Sequence, residues 1–150
     1  MHLQALDYRE ASLQRLEEAI VLYENKHWVG AVYLAGRAVE AMFRALLWRR
    51  GERDVGHNLR TLLARVGQLG LLTEHDREHL IDRVNDVAIV WNNDLRFAAA
   101  RKFSQHLKAA KRHRRIAGRA IQGDAAKANA KAVREASEAI VARGDLIWKR

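Results

Sequence analysis

Residues 28–50 read WVGAVYLAGRAVEAMFRALLWRR, and this stretch decides the fold. Trp28, Val32, Ala35, Val39, Met42, Phe43, Leu46 and Leu47 recur at steps of three and four residues, the period of an α-helix. The apolar stripe is wide. A helix that rests on one neighbour needs a single stripe, so this one is expected at the centre of a bundle, against several partners.

Working outward, residues 3–25 carry Leu6, Leu13, Leu16, Ile20 and Tyr23 at helical spacing, with Arg9, Gln14, Glu17, Glu18 and Glu24 elsewhere. Asn25-Lys26 breaks the pattern, and so short a link makes the first two helices antiparallel neighbours. Downstream, residues 51–56 form a charged loop. Asn58 is placed to cap a short third helix bearing Leu59, Leu62, Leu63, Val66 and Leu69. Thr73 is placed to cap a fourth, with Leu80, Ile81, Val84, Val87, Ala88 and Trp91 on it. Glu74 and Asp76 suit its positive end.

Residues 95–101 show no clear period. Ser104 reads as the cap of a further helix through Leu107, Ala110 and the run Lys111-Arg112-His113-Arg114-Arg115, continuing to Ile121. Asp124 reads as the cap of an alanine-rich last helix with Val133, Ala136, Ile140 and Val141 on one face, closed by Gly144. That stripe is thin, so the helix is expected to dock weakly or to serve a partner. The fold class is all-α: an up-and-down four-helix bundle (residues 1–121) with an extra short helix, followed by a basic C-terminal helix and tail (residues 122–150).

Composition agrees. The 150 residues include no proline and no cysteine, and alanine, leucine, arginine and glutamate, all good helix formers, dominate. A chain of this length buries enough surface for its own core. Without cysteine there is no disulfide framework and no thiolate metal site. No long apolar run would span a membrane, and Asp7, Arg9 and Glu10 stand where a signal peptide needs apolar residues, so a cytoplasmic protein is expected. The net charge is +9, unevenly spread. Residues 1–96 hold 13 Lys/Arg against 14 Asp/Glu, while residues 97–150 hold 14 against 4. Such a cationic block attracts polyanions and releases their counterions; an acidic protein partner, or solubility alone, are the other readings.

Three blocks resemble the HEPN domain family. Tyr33-Leu34-Ala35-Gly36-Arg37-Ala38-Val39-Glu40-Ala41-Met42 is similar to its second helix. Gly56-His57-Asn58-Leu59-Arg60-Thr61-Leu62-Leu63 is similar to the segment that opens its third helix. Trp91-Asn92-Asn93-Asp94-Leu95-Arg96-Phe97 is similar to the stretch before its last bundle helix. Order and spacing fit over residues 3–121, with the alanine-rich helix outside. The resemblance implies a four-helix bundle, usually a homodimer, working on RNA or nucleotides. Many members are metal-independent ribonucleases, often toxins, that carry an Arg-x4–6-His motif brought together across the dimer. Others do not cleave and act as binding modules, commonly beside a minimal nucleotidyltransferase antitoxin. No cofactor is expected.

Two pairs match the catalytic spacing, Arg50 with His57 and Arg101 with His106. With 20 arginines and 7 histidines in the chain, about three such matches arise by chance, so spacing alone decides nothing. Neither arginine has the usual polar follower. On one continuous helix, Arg101 and His106 would lie about 140° apart. They converge only if the helix starts between them, as a Ser104 cap allows, or across a dimer. Chemically the pair is sensible: His106 as general base or acid on a ribose 2′-hydroxyl, Arg101 holding the phosphate. The structural alternative makes His106 a surface residue at a helix start and Arg101 part of a basic face.

His57 either packs locally ahead of the Asn58 cap or serves a site with Arg96. Arg96 either reaches a phosphate or pairs with Asp94 or Glu40. Glu40, among apolar residues, needs a partner, with Arg37, Arg44 and Arg96 in range, or else orients a site residue. Arg112, Arg114 and Arg115 read as RNA contacts. Among the tryptophans, Trp28 and Trp91 read as core, and Trp148 as the best base-stacking candidate. His75 and His79 stand four apart, as a metal half-site would, but read as solvated residues.

Overall fold

The computed structural model describes residues 1–110, 115–116, 119–120 and 125–150, with only the backbone of 109, 110, 115, 116, 119 and 120. Among the described residues, six α-helices run α1 (Ala5–Glu24), α2 (Trp28–Arg49), α3 (Leu59–Gln68), α4 (Glu74–Val90), α5 (Ala100–Ala110) and α6 (Ala125–Trp148). A 3₁₀ turn, Asn93–Phe97, joins α4 to α5, and a two-residue antiparallel ladder pairs β1 (Arg115–Ile116) with β2 (Arg119–Ala120). No described helix is long and apolar enough to cross a membrane.

Helix α2 is the axis. It buries twelve residues around its circumference and packs against α1, α3, α6 and the 3₁₀ turn. Val32, Val39, Phe43 and Leu47 join Leu59, Leu62, Leu80, Val84, Val87, Val133 and Ile140 in the main core. Ala38 and Met42 meet Leu13, Leu16 and Val141 on another side. Each fully buried side chain of this size stabilises by roughly 1.5–3 kcal/mol. At the α1–α2 link Lys26 takes a left-handed backbone (φ 62°), and the Asn25 side chain donates to the Val21 carbonyl at 2.8 Å.

Both expected caps form. Asn58 Oδ1 accepts from the Thr61 amide at 3.0 Å and opens α3. Thr73 and Asp76 make a reciprocal capping box at the start of α4.

Three expectations for the C-terminal third are corrected. First, α5 starts at Ala100, ahead of Ser104, and ends at Ala110, so it does not continue to Ile121; the backbone at 115–116 and 119–120 is extended and paired. The cap candidate Asp124 lies outside the described residues. Second, Gly144 does not close the last helix. It sits inside α6, where a Cβ would stand 2.3 Å from Met42 Cγ, so its missing side chain admits Met42. Third, α6 does not dock weakly. It packs on α1, α2, α4 and α5 and buries Ala130, Ala132, Val133, Ala136, Ile140, Val141 and Ile147. Its thin stripe misleads because alanine and glycine contribute little area themselves, yet let neighbouring side chains come close.

Polar ties fix α6 further. Arg9 Nε donates to Asp145 at 2.6 Å, joining α1 to α6. Asp76, wholly buried at the start of α4, accepts from Arg150 Nη1 at 2.7 Å and has Arg143 at 3.6 Å.

Candidate nucleotide and nucleic-acid sites

Helix α5 begins before Arg101, so Arg101 and His106 share one continuous helix and point to different sides. The condition that would join them within one chain, a helix start at Ser104, is not met. Arg101 is exposed. His106 is half-buried, and its Nε2 lies 2.7 Å from the Val90 carbonyl oxygen. A carbonyl can only accept, so Nε2 carries the proton and Nδ1 is left with its lone pair when the ring is neutral. Phe103 and Leu107, both buried, hold this helix on the bundle.

The basic excess is not where the last helix would put it. In α6 and the two residues after it, Lys131 faces Glu135, Arg134 pairs with Glu138 and covers the Tyr23 ring, Lys149 pairs with Asp145, and Arg143 and Arg150 converge on Asp76. These cations are answered by the chain's own carboxylates. By contrast, residues 101–120 hold Arg101, Lys102, Lys108, Lys111, Arg112, Arg114, Arg115 and Arg119 and not one Asp or Glu. Arg101, Lys102 and Lys108 are exposed. Arg112 and Arg114 lie outside the described residues, and Arg115 is placed by its backbone alone, opposite Ala120.

A second polar centre sits between α1, α2 and the start of α3. Glu40 is 1% exposed. Its Oε2 accepts from Arg37 Nη1 at 2.7 Å; its Oε1 accepts from Arg44 Nε at 2.8 Å and faces His57 Nδ1 at 2.7 Å. Arg44 Nη2 donates onward to the Gly56 carbonyl at 2.5 Å. The carboxylate has only acceptors, so His57 holds its proton on Nδ1 toward Glu40, with Nε2 turned away. Glu40 therefore combines both sequence readings: ion-paired to Arg37 and Arg44, and orienting a histidine. Arg96 is not one of its partners. Arg96 is exposed and lies over the Phe97 ring at 4.6 Å, so the structure does not bring it to His57 or Glu40. The Glu40–His57 contact had no sequence signal, because seventeen residues separate the two and only the path of the 51–58 loop joins them.

Trp148 is half-buried at the end of α6. The Arg49 guanidinium lies 4.8 Å from its ring centre and also bonds its carbonyl, so one face is already covered. Trp91 is core, as expected: its Nε1 donates to the Tyr33 carbonyl at 3.0 Å and its ring lies flat against Gly36. Trp28 is packed against the core edge-on to Tyr23. His75 and His79 rings are 6.4 Å apart, and no group of three metal-ligating side chains exists among the described residues. Burial, then the nearby Arg83 and Arg143, push the His79 imidazole below its ordinary range. The Asp76 carboxyl is pushed up by burial, but the Arg150 bond and the Thr73 contacts outweigh this and hold it at about 2.

The described residues form an all-α bundle built on one central helix, α2, with Arg101, Lys102 and Lys108 exposed on α5. A family model for the HEPN domain matches residues 5–140, and the chain belongs to that family. The match runs into α6, which the sequence resemblance had left outside. No curated protein and no solved structure matches the chain.

Proposed function

We propose that this HEPN domain binds RNA through the α5 face and the stretch that follows it. One observation carries the reading: residues 101–120 contain eight cations and no carboxylate, and those whose side chains are described, Arg101, Lys102 and Lys108, are exposed and make no ion pair among the described residues. Arg112, Arg114 and Arg115 continue the same acid-free run along the sequence. A cationic stretch without internal counter-charges is neutralised by phosphates and releases their counterions. Binding of a single-stranded RNA should therefore weaken steeply between about 50 and 200 mM salt. Replacing Arg101, Lys102 and Lys108 together by glutamine should flatten that dependence by about 0.7 per removed phosphate contact. Salt-insensitive binding, or none, would overturn the reading and favour a non-catalytic module that dimerises and pairs with an acidic partner such as a nucleotidyltransferase antitoxin.

A second reading adds metal-independent cleavage of the bound RNA by Arg101 and His106 drawn from two protomers of a homodimer. The observation in its favour is the Val90 carbonyl, which fixes the protonated edge of His106 and leaves Nδ1 as a base. Cleavage insensitive to chelator should vanish in both His106→Ala and His106→Gln, the second keeping a donor for Val90. Undiminished cleavage in His106→Gln removes this residue from the chemistry.

A further inference from the structure

The cleft between α1 and α2 is built around Glu40, and the RNA surface on α5 does not use it. Its volume is about 580 Å³, and its lining includes Arg37, Arg44 and His57 together with the Tyr8 and Tyr33 side chains. Glu40 at its floor holds all three nitrogen-bearing groups at 2.7–2.8 Å, through one edge of each. Among the described residues those bonds leave other donors without a partner: Nη2 and Nε of Arg37, Nη1 of Arg44, and Nε2 of His57, which donates when the ring is charged. One buried carboxylate answers two guanidinium charges, so the cluster keeps a positive excess. The other charges lining the cleft nearly cancel. Arg15 is paired with Glu18, and Asp7 accepts from the Gln4 amide in the α1 cap.

An arrangement that immobilises two guanidinium groups and an imidazole around one carboxylate pre-organises them for a compact, multiply charged anion. A phosphate monoester offers three acceptor oxygens and a charge near −2, whereas a phosphodiester within a chain offers two free oxygens and −1. We propose that this cleft is a binding site for a terminal phosphate group, held by Arg37, Arg44 and His57, with the attached sugar or base against Tyr8 or Tyr33. The site is separate from the α5 surface and stands or falls without it.

Titration of the full chain, followed by the imidazole signals of His57 in NMR, tests the assignment. The probes are inorganic phosphate, uridine 5′-monophosphate, uridine, and a short RNA with either a 5′-phosphate or a 5′-hydroxyl. Uridine monophosphate should shift the His57 signals and bind at least tenfold more tightly than uridine. A preference for the 5′-phosphorylated RNA over its hydroxyl twin identifies an RNA end as the source, and binding of the mononucleotide alone identifies a free nucleotide. Arg37→Gln and His57→Gln, both at partly exposed positions, should each weaken phosphate-ester binding at least tenfold without loss of the helical CD signal. Equal affinity for uridine and its monophosphate, an unmoved His57 signal, or unchanged binding in both variants overturns the proposal. Failure of salt-dependent RNA binding, measured separately, would strike only the α5 reading.

Discussion

Gly36 shows how much one residue decides. A Cβ there would stand 2.2 Å from Cδ1 of Trp91, so the indole lies directly on the α2 backbone and its Nε1 reaches the Tyr33 carbonyl. Gly36→Ala should cost about 1–3 kcal/mol in urea melts, by overpacking, even though alanine is the better helix former. A variant as stable as the parent would show that the indole yields freely. Asp76 gives a second residue-scale outcome. Its folded carboxyl titrates at about 2, below the ordinary value of 3.8. The stability it contributes is complete above about pH 4 and is lost as pH falls toward 2. With the carboxylate fully buried, that amounts to about 2 kcal/mol. Asp76→Asn should remove this part of the acid dependence, and an unchanged acid slope in the variant would contradict the pairing with Arg150. Glu40 was recognisable in the sequence as a carboxylate in need of partners. Which partners it took was not, because Arg37, Arg44 and Arg96 were all within plausible reach, and His57 was tied to it only through the loop.

At the scale of elements, the local rules held where the chemistry is local. Asn58 and Thr73 cap α3 and α4 because their side chains reach amides three residues away, whatever the rest of the fold does. Thr73→Ala should cost about 1 kcal/mol. The substitution removes the Oγ1 acceptor of the Asp76 amide, whereas the Thr73 amide still donates to the Asp76 carboxylate. The rules failed for α5 and α6, where local chemistry is weak. Ser104 had the right character for a cap, but the helix already runs four residues earlier, and Phe103 and Leu107 seat it on the bundle. Gly144 had the character of a helix end, but room for Met42 was the stronger demand. Helix α6 looked peripheral because alanine carries little apolar area. Ile140, wholly buried, tests its real weight: Ile140→Ala should destabilise by about 2–5 kcal/mol, on a par with Leu62→Ala in α3. A cost below about 1 kcal/mol would return α6 to the periphery.

For the whole molecule, charge is organised by what each helix packs against. The C-terminal third is strongly cationic in sequence, but the folded chain divides it. Along α6 and the two residues after it, Glu135, Glu138 and Asp145, with Asp76 from α4, meet Lys131, Arg134, Lys149, Arg143 and Arg150, so these five cations each face a carboxylate. Residues 101–120 hold eight cations and no carboxylate, and Arg101, Lys102 and Lys108 among them are exposed. Neutralising cations in α5 should therefore lower the salt slope of RNA binding, whereas neutralising Lys131, already matched to Glu135, should change it far less. Equal effects from the two helices would show that the charge is read as a uniform cloud and not from one face.

The amino-acid sequence by itself determined the helical class, the central place of α2, the caps of α3 and α4, and the family resemblance. Each of these rests on periodicity or on contacts between residues three or four apart, and such information is carried along the chain. The tertiary structure alone decided that α6 is a packed bundle helix, that His57 joins Glu40 while Arg96 does not, that α5 already runs through Arg101 and His106, and which of the described cations meet a carboxylate. These depend on partners from 17 to 136 residues away, or on which side of a helix is already occupied. A side chain's neighbours across a bundle are set by how closely backbones approach, and small residues such as Gly36 and Gly144 permit that approach without announcing it in any periodic pattern.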